Sequence, residues 1–176
     1  LFMTWLPCGN FINVVKLGVF RRFFWFCCGF CGFFWERHLK NKTKIKIMRY
    51  YFDTSIWIDI FEGRDRLSKK LLDKIIYEDN RIVYSQAIIA ELIGFGYHFF
   101  DIKDLFRPFR YILTYVLIAK HNLGKAKDLA SKRGIPKRDA LHALLAREYR
   151  AILVTRDRDF EKLKDIIISK RPEELI

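Results

Sequence analysis

Four acidic residues occupy places where the ends of predicted elements can bring their carboxylates together. Asp53 directly follows a predicted strand, and Asp157 lies two residues beyond another. Asp139 falls in the first turn of the helix before that second strand, and Glu91 lies in a helix that follows a third strand. In open parallel sheets, ligands bind at the carboxyl ends of the strands. The spacing therefore predicts a carboxylate cluster at one edge of the sheet.

Such a cluster needs a cation, because neighbouring carboxylates raise each other's pKa and destabilise the fold unless they are neutralised. The four predicted ligands offer only oxygen, which favours Mg²⁺ or Mn²⁺ over zinc. These ions serve phosphoryl chemistry by activating water and stabilising the leaving oxygen. Arg138 adjoins Asp139 and Arg156 adjoins Asp157, and we expect both arginines to contact a phosphate backbone. The residues alone thus predict hydrolysis of a phosphodiester.

The elements that must position these acids alternate between strands and helices. The apolar run 151–155 is typical of a strand buried on both faces of a parallel sheet, whereas residues 112–118 fit either a helix or a strand. We expect Ser85 to cap the helix that follows it and Pro136 to occupy a first helical position. The pattern predicts an α/β fold with a mostly parallel central sheet flanked by helices on both faces. The predicted strands are 49–52, 81–84, 151–155 and 166–168, and the predicted helices are 56–61, 66–78, 86–94, 124–132, 136–149 and 160–164.

Composition divides the chain of 176 residues into two regions. Residues 1–47 hold eight basic residues, one acid, nine of the 17 Phe, three of the four Trp and all four Cys. We expect them to be an upstream extension outside a functional domain that spans residues 48–176. Membrane association of residues 1–47 is the less favoured alternative, since aromatic and basic residues suit a bilayer interface but three internal basic residues interrupt any span.

The remaining composition excludes two classes of protein. Apolar residues make up 51% of the chain, which excludes a globally disordered protein. Because residues 48–176 contain no Cys, a disulfide-stapled secreted domain is excluded as well. The formal net charge of +13 favours a polyanionic partner, either nucleic acid or an anionic membrane surface.

Four segments resemble the successive motifs of a PIN domain in their order and separations. The segments are Tyr51–Ser55, Ser85–Glu91, Ile135–Ala143 and Ile152–Phe160. Each segment is short, but four in register are specific. Within the family they are most similar to the small single-domain toxins of VapBC-type toxin–antitoxin modules.

The resemblance implies a function and a set of roles. Asp53, Glu91, Asp139 and Asp157 would be an acidic quartet that holds one or two Mg²⁺ or Mn²⁺ ions, with Asp53 and Asp139 as the principal direct ligands. The implied activity is metal-dependent endoribonucleolytic cleavage of RNA, and the implied protein partner is a small antitoxin that covers the site. We also expect a homodimer and a cytoplasmic location.

Neighbouring polar residues are expected to support the acids. Supporting roles are assigned to Thr54, Ser55 and Thr155. Thr54 or Ser55 would hydrogen-bond a ligand carboxylate, although an ordinary turn role explains these two residues equally well. His142 shares a helical face with Asp139, and we expect it to be a packed or supporting histidine rather than a proton carrier.

Each acid also has a structural alternative. Asp53 would be a turn or cap residue, Glu91 a solvated helix acid, and Asp139 a partner of the helix dipole. Asp159 is an alternative to Asp157 because it lies two residues further along.

Two other functions compete with the nuclease. A non-catalytic RNA-binding module would use the basic surface without the acids. A phosphatase-like Mg²⁺-dependent phosphohydrolase similar to the haloacid dehalogenases also places an Asp at a strand end. It needs a second Asp two residues later, and this sequence has Ser55 there.

Overall fold

A computed structural model describes residues 47–176. The extension predicted for residues 1–47 lies outside these residues, except for Ile47. Within the described range, no helix combines the length and the apolar character that crossing a bilayer requires.

A five-stranded sheet forms the centre of the domain. Its strands are β1 (Arg49–Phe52), β2 (Arg81–Ser85), β3 (Leu113–Val116), β4 (Ile152–Val154) and β5 (Ser169–Lys170). They lie in the order β3-β2-β1-β4-β5, and every pair of neighbours is parallel. All five carboxyl ends therefore lie at the same edge of the sheet.

Six α-helices connect and cover the strands in the described part of the chain. They are α1 (Thr54–Glu62), α2 (Arg66–Tyr77), α3 (Gln86–Gly94), α4 (Phe99–Phe106), α5 (Lys120–Arg133) and α6 (Lys137–Glu148). Short 3₁₀ segments follow at Arg107–Phe109, Arg158–Leu163 and Pro172–Glu174. The predicted α/β fold with a parallel sheet and flanking helices is confirmed.

Local sequence explains why these helices form and how closely they pack. The Asp65 side chain caps α2 by accepting from the backbone N–H groups of Leu67 and Ser68, which satisfies donors that a helix start leaves free. In α6, Ala140, Ala143 and Ala146 are completely buried. Because these side chains are small, α6 packs closely against the layer beneath it, and Asp139 is carried at its first turn.

The strand order places the site. β1 and β4 are neighbours, although two other strands lie between them in the sequence. Because crossovers between parallel strands are right-handed, the helices that lead from β1 to β3 and those that lead to β4 cover opposite faces. The crevice beyond such a reversal is where open sheets bind ligands. Asp53 follows β1 and Thr155 follows β4 at this position.

Several predicted boundaries need correction. The undecided segment 112–118 contains β3, and the helix predicted over 124–132 begins at Lys120. Pro136 is the residue before α6 rather than its first helical residue. The last strand is Ser169–Lys170 rather than 166–168, because the backbone N–H groups of residues 166 and 167 both donate to the Leu163 carbonyl in a turn.

Candidate metal site

Asp53 lies at the centre of the carboxyl edge with its orientation fixed. Its backbone N–H donates to the Val154 carbonyl at 3.0 Å, so the residue still pairs with β4. One carboxylate oxygen accepts from the Thr54 N–H at 2.8 Å, and the other accepts from the hydroxyls of Ser55 at 2.9 Å and Thr155 at 3.0 Å. The contact with the Thr54 N–H makes Asp53 the N-cap of α1. The cap role given as a structural alternative for Asp53 is therefore present, and a site role for the same carboxylate stays a prediction.

Glu91 reaches the same edge from α3. Its Oε2 accepts a hydrogen bond from the Thr54 hydroxyl, and its Oε1 lies 3.2 Å from His142 Nε2. Burial would raise the pKa of Glu91, but the hydrogen bond and charge of His142, the Thr54 hydroxyl and the charge of Arg138 together lower it below its ordinary value. Glu91 is thus held as a carboxylate and is not a solvated surface acid.

One oxygen or nitrogen from each of Asp53, Glu91 and His142 lies within 4.8 Å of the other two. We call these residues the Asp53 group. The involvement of His142 matches the expectation that it is a packed or supporting residue, since it is buried and touches Glu91 through a ring nitrogen.

A second acidic cluster lies beside the first. Carboxylate oxygens of Asp139, Asp157 and Asp159 lie within 4.8 Å of one another, and we call these residues the Asp139 group. Asp157 is exposed and accepts from the Asp159 N–H at 2.9 Å, whereas Asp139 is half-buried. The alternative between Asp157 and Asp159 is therefore not exclusive, because both lie near Asp139.

The electrostatics of Asp139 link the two groups. Its pKa is raised to about 6, first by burial and then by the negative charges of Asp157 and Asp53. A nearby cation would reverse this effect, because opposite charge favours the ionised carboxyl. Clustered carboxylate oxygens are the donor set that Mg²⁺ and Mn²⁺ prefer, so the residues present fit such an ion.

The sequence matches the family model described as PIN domain over residues 50–166. The chain belongs to the PIN domain family. That match covers more than half of the chain and contains all four predicted acids, and it confirms the resemblance found in the motifs. No curated protein matches the sequence significantly.

Solved structures share the PIN fold seen here. VapBC2 from Rickettsia felis, bound to a DNA fragment from its promoter, is 20% identical with a TM-score of 0.56, covering 70% of this chain and 98% of its own. VapBC-1 from nontypeable Haemophilus influenzae is 22% identical with a TM-score of 0.54, covering 72% and 99%. A toxin–antitoxin complex from Klebsiella pneumoniae is 24% identical with a TM-score of 0.50, covering 63% and 89%. At these identities the likeness establishes the fold.

The hydroxyl residues of this PIN domain divide between the two acids. Ser55 and Thr155 donate to Asp53, and Thr54 donates to Glu91. Thr54 and Ser55 therefore each donate to a carboxylate of the predicted quartet, and the metal-binding role of those carboxylates stays a prediction. Thr155 also accepts from the Asp157 N–H at 3.1 Å, so it connects the backbone of the Asp139 group to Asp53.

Arg156 departs from its predicted place. Its guanidinium pairs with Asp65 and Glu173, each at 2.5 Å, and with Asp59 at 3.5 Å. Although burial lowers the pKa of Arg156, Glu173 and Asp65 together raise it above its ordinary value. Because three carboxylates already compensate this charge, the phosphate contact predicted for Arg156 is not supported. The structural interpretation is favoured, although its partners are not the Asp159 that the sequence suggested.

Arg138 remains close to the acids. It is exposed on the first turn of α6, and its charge contributes to the lowered pKa of Glu91. This placement keeps Arg138 available for an anionic ligand at the edge of the site.

Sequence reasoning missed two residues behind the acids, Tyr51 and Ser85. The Tyr51 hydroxyl lies 2.7 Å from Ser85 Oγ and 2.8 Å from His142 Nδ1. Ser85 was expected to cap α3, but its side chain makes no capping bond because it faces Tyr51. Tyr51 lies two residues before Asp53, and in an extended chain such residues share a face. This spacing is the signal that would have placed the Tyr51 hydroxyl beneath the site.

Proposed function

We propose that this PIN domain is a metal-dependent endoribonuclease that hydrolyses RNA phosphodiester bonds. The observation that carries the proposal is the clustering of acids at the carboxyl edge of the sheet, where oxygens of Asp139, Asp157 and Asp159 lie within 4.8 Å of one another and Asp53 and Glu91 form part of a second such group. Such an arrangement destabilises the protein by itself and becomes favourable when a divalent cation binds. Asp53 and Asp139 are the proposed principal ligands, with Glu91 and Asp157 completing the set.

The chain's own residues prepare the site for this chemistry. When bound, Mg²⁺ or Mn²⁺ would lower the pKa of a water molecule and stabilise the negative charge that develops on the phosphoryl group and the leaving oxygen. Ser55 and Thr155 hold Asp53 in one orientation, so its side chain loses less conformational entropy when a metal ion binds. Arg138 is proposed to contact the RNA backbone, where a phosphate contact releases counterions.

RNA and a protein inhibitor are the proposed partners. The structures that share this fold come from VapBC and toxin–antitoxin complexes, which supports a toxin role and a small antitoxin that covers the acids. We further propose a cytoplasmic homodimer whose functional domain begins at residue 48. A protein that starts at Met48 should then cleave RNA as well as the full chain.

Cleavage mapping on structured RNAs tests the activity. Cleavage should require Mn²⁺ or Mg²⁺ and stop with EDTA. Asp139→Asn should lower the rate by roughly 100-fold or more, since even outer partners of metal ligands matter by 10- to 100-fold. The matched control is Asp128→Asn, which neutralises an exposed acid on α5 and should cleave like the parent.

Two results would contradict this function. Cleavage that persists in EDTA would remove the metal from the mechanism. Tight RNA binding without any cleavage in Mn²⁺ would instead favour the non-catalytic RNA-binding module.

A further inference from the structure

A row of buried polar side chains lies behind the proposed metal site and has no role in it so far. Tyr51, Ser85 and His142 are each at most 1% exposed. Hydrogen bonds connect them in the order Ser85, Tyr51 and His142, and the row ends on Glu91. Well-packed apolar side chains would fill the same volume at little or no cost in stability. Packing alone therefore does not account for this chain of polar groups.

Two members of the row lie close in sequence to a predicted metal ligand and on the same face of the chain. Tyr51 precedes Asp53 by two residues and so lies on the same face of the extended chain. His142 follows Asp139 by three residues and lies on the same face of α6. The row therefore connects β1 and α6 with Glu91 of α3.

The protons in this row have a defined order when the imidazole is neutral. The Glu91 carboxylate only accepts, so His142 Nε2 must carry the hydrogen that faces it. Nδ1 is then an acceptor, and the Tyr51 hydroxyl donates to it. The Tyr51 oxygen in turn accepts from the Ser85 hydroxyl. Glu91 thereby selects this tautomer, and the Tyr51 hydroxyl, which can donate or accept, takes the donor role toward Nδ1 and holds the imidazole ring in place.

We propose that His142, held through Nδ1 by the Tyr51 hydroxyl, is a positioning residue that keeps the Glu91 carboxylate in place to bind the divalent cation. This inference rests on the proposed function, since it assigns a role toward the metal of the same site. Hydrogen-bond partners of metal ligands fix ligand orientation, and their loss costs roughly 10- to 100-fold in metal affinity.

Mn²⁺ affinity of the full chain, measured by titration with detection of free Mn²⁺ by electron paramagnetic resonance, tests the role of the phenol. Tyr51→Phe keeps the aromatic ring and removes only the hydroxyl, so Nδ1 of His142 loses the partner that holds the imidazole in its orientation toward Glu91. We expect about 10-fold weaker Mn²⁺ binding. Tyr50→Phe is the matched control, because Tyr50 is the buried neighbour in β1 and its side chain lies on the other face of the strand; it should bind Mn²⁺ like the parent.

Two substitutions at His142 distinguish a hydrogen-bonding role of this residue from a purely space-filling role. His142→Leu fills the cavity without a donor and should weaken Mn²⁺ binding by about 10- to 100-fold. His142→Gln places an amide N–H near the position of Nε2 and should recover most of that loss. If the Leu and Gln variants bind Mn²⁺ equally, hydrogen bonding by His142 is not what matters, and the inference is wrong.

Ring ¹⁵N chemical shifts of His142 in the metal-free protein give a measurement that does not depend on metal or on activity. The parent should show the Nε2–H tautomer, and in Tyr51→Phe the Nδ1 chemical shift should change because its hydrogen-bond donor is gone. A parent with the Nδ1–H tautomer would overturn the inference. Parental Mn²⁺ affinity in folded Tyr51→Phe and His142→Leu would overturn it while leaving the proposed function intact, whereas a parent that binds no Mn²⁺ would contradict both.

Discussion

The Asp53 group and the Asp139 group lie side by side, but the protein holds them in different ways. Asp53 and Glu91 accept hydrogen bonds from five donors: the Thr54 N–H, three hydroxyls and His142. Asp139 instead is half-buried beside Asp157 and Asp53, and burial followed by these negative charges raises its pKa to about 6. The first group is ordered by the protein itself. In the second, Lys162 pairs with Asp159 at 2.7 Å, but Asp139 keeps the burial and the negative neighbours that favour its protonated form.

This difference indicates how the proposed metal site is divided. Asp53 and Glu91 provide carboxylates that are already oriented, which reduces the ordering cost of binding. The Asp139 group favours binding of a cation, because a positive charge there would offset the repulsion between its carboxylates. Because hydrogen bonds hold Asp53 whereas burial and negative charge oppose the ionised form of Asp139, substitutions of these two acids should change the free energy of unfolding in opposite directions.

The largest difference in stability is expected between Asp53→Ala and the parent in EDTA. This substitution removes the cap of α1, which costs about 1 kcal/mol, and leaves the hydroxyls of Ser55 and Thr155 without their acceptor. A loss of roughly 1–2 kcal/mol in the free energy of unfolding should follow. Urea unfolding measures this quantity. Unchanged stability would show that these hydrogen bonds do not order the Asp53 group.

Asp139→Asn should have the opposite sign and depend on pH. The ordinary Asp pKa is 3.8 and that of Asp139 is about 6, so the folded parent binds more protons than the unfolded chain between these values. The parent therefore loses stability as the pH rises from about 4 to about 6. In EDTA, Asp139→Asn should be more stable than the parent above pH 6, and the gain should vanish near pH 4. Thermal unfolding across this range would contradict the account if the gain were constant.

The smallest expected effect contrasts the two arginines. In a catalytically dead Asp53→Asn background, Arg138→Gln should weaken RNA binding and lower the slope of log affinity against log salt by about one. Arg156→Gln should leave the slope unchanged and reduce stability modestly, because it breaks the pairs with Asp65 and Glu173. Fluorescence titration with labelled RNA at several salt concentrations measures both slopes. A lower slope for Arg156→Gln would restore the original prediction for that residue.

The sequence was sufficient for the features that depend on local pattern. Apolar runs and helical spacing located β1, β2, β4 and most of the helices, and the acids at the strand ends followed from parallel topology. The boundaries that failed depended on particular backbone bonds. The apolar triplet 166–168 resembles a strand, but a turn onto the Leu163 carbonyl delays pairing until Ser169.

The partners of polar side chains were harder to predict, because they come from elements far apart in the sequence. Ser85 has the residue type and position of a helix cap, and only the location of Tyr51 explains why it does not act as one. Arg156 stands beside an acid in the sequence, yet its charge is taken up by residues of the α1–α2 region and the carboxyl-terminal segment. The sequence around Arg156 therefore showed which charged residues are present locally, but not which of them form ion pairs.

The most direct measurement is the thermal unfolding midpoint of the parent and Asp139→Asn at about pH 7, each in EDTA and in saturating Mn²⁺. A ligand that binds only the native state raises stability according to its concentration relative to Kd. In EDTA the variant should be the more stable protein, because it no longer buries the charge of Asp139 or sets that charge against Asp157 and Asp53. In Mn²⁺ the order should reverse, because the parent binds the ion through Asp139 and the variant has lost that ligand. Equal Mn²⁺ shifts in both proteins, or none in the parent, would contradict a metal site built on these acids.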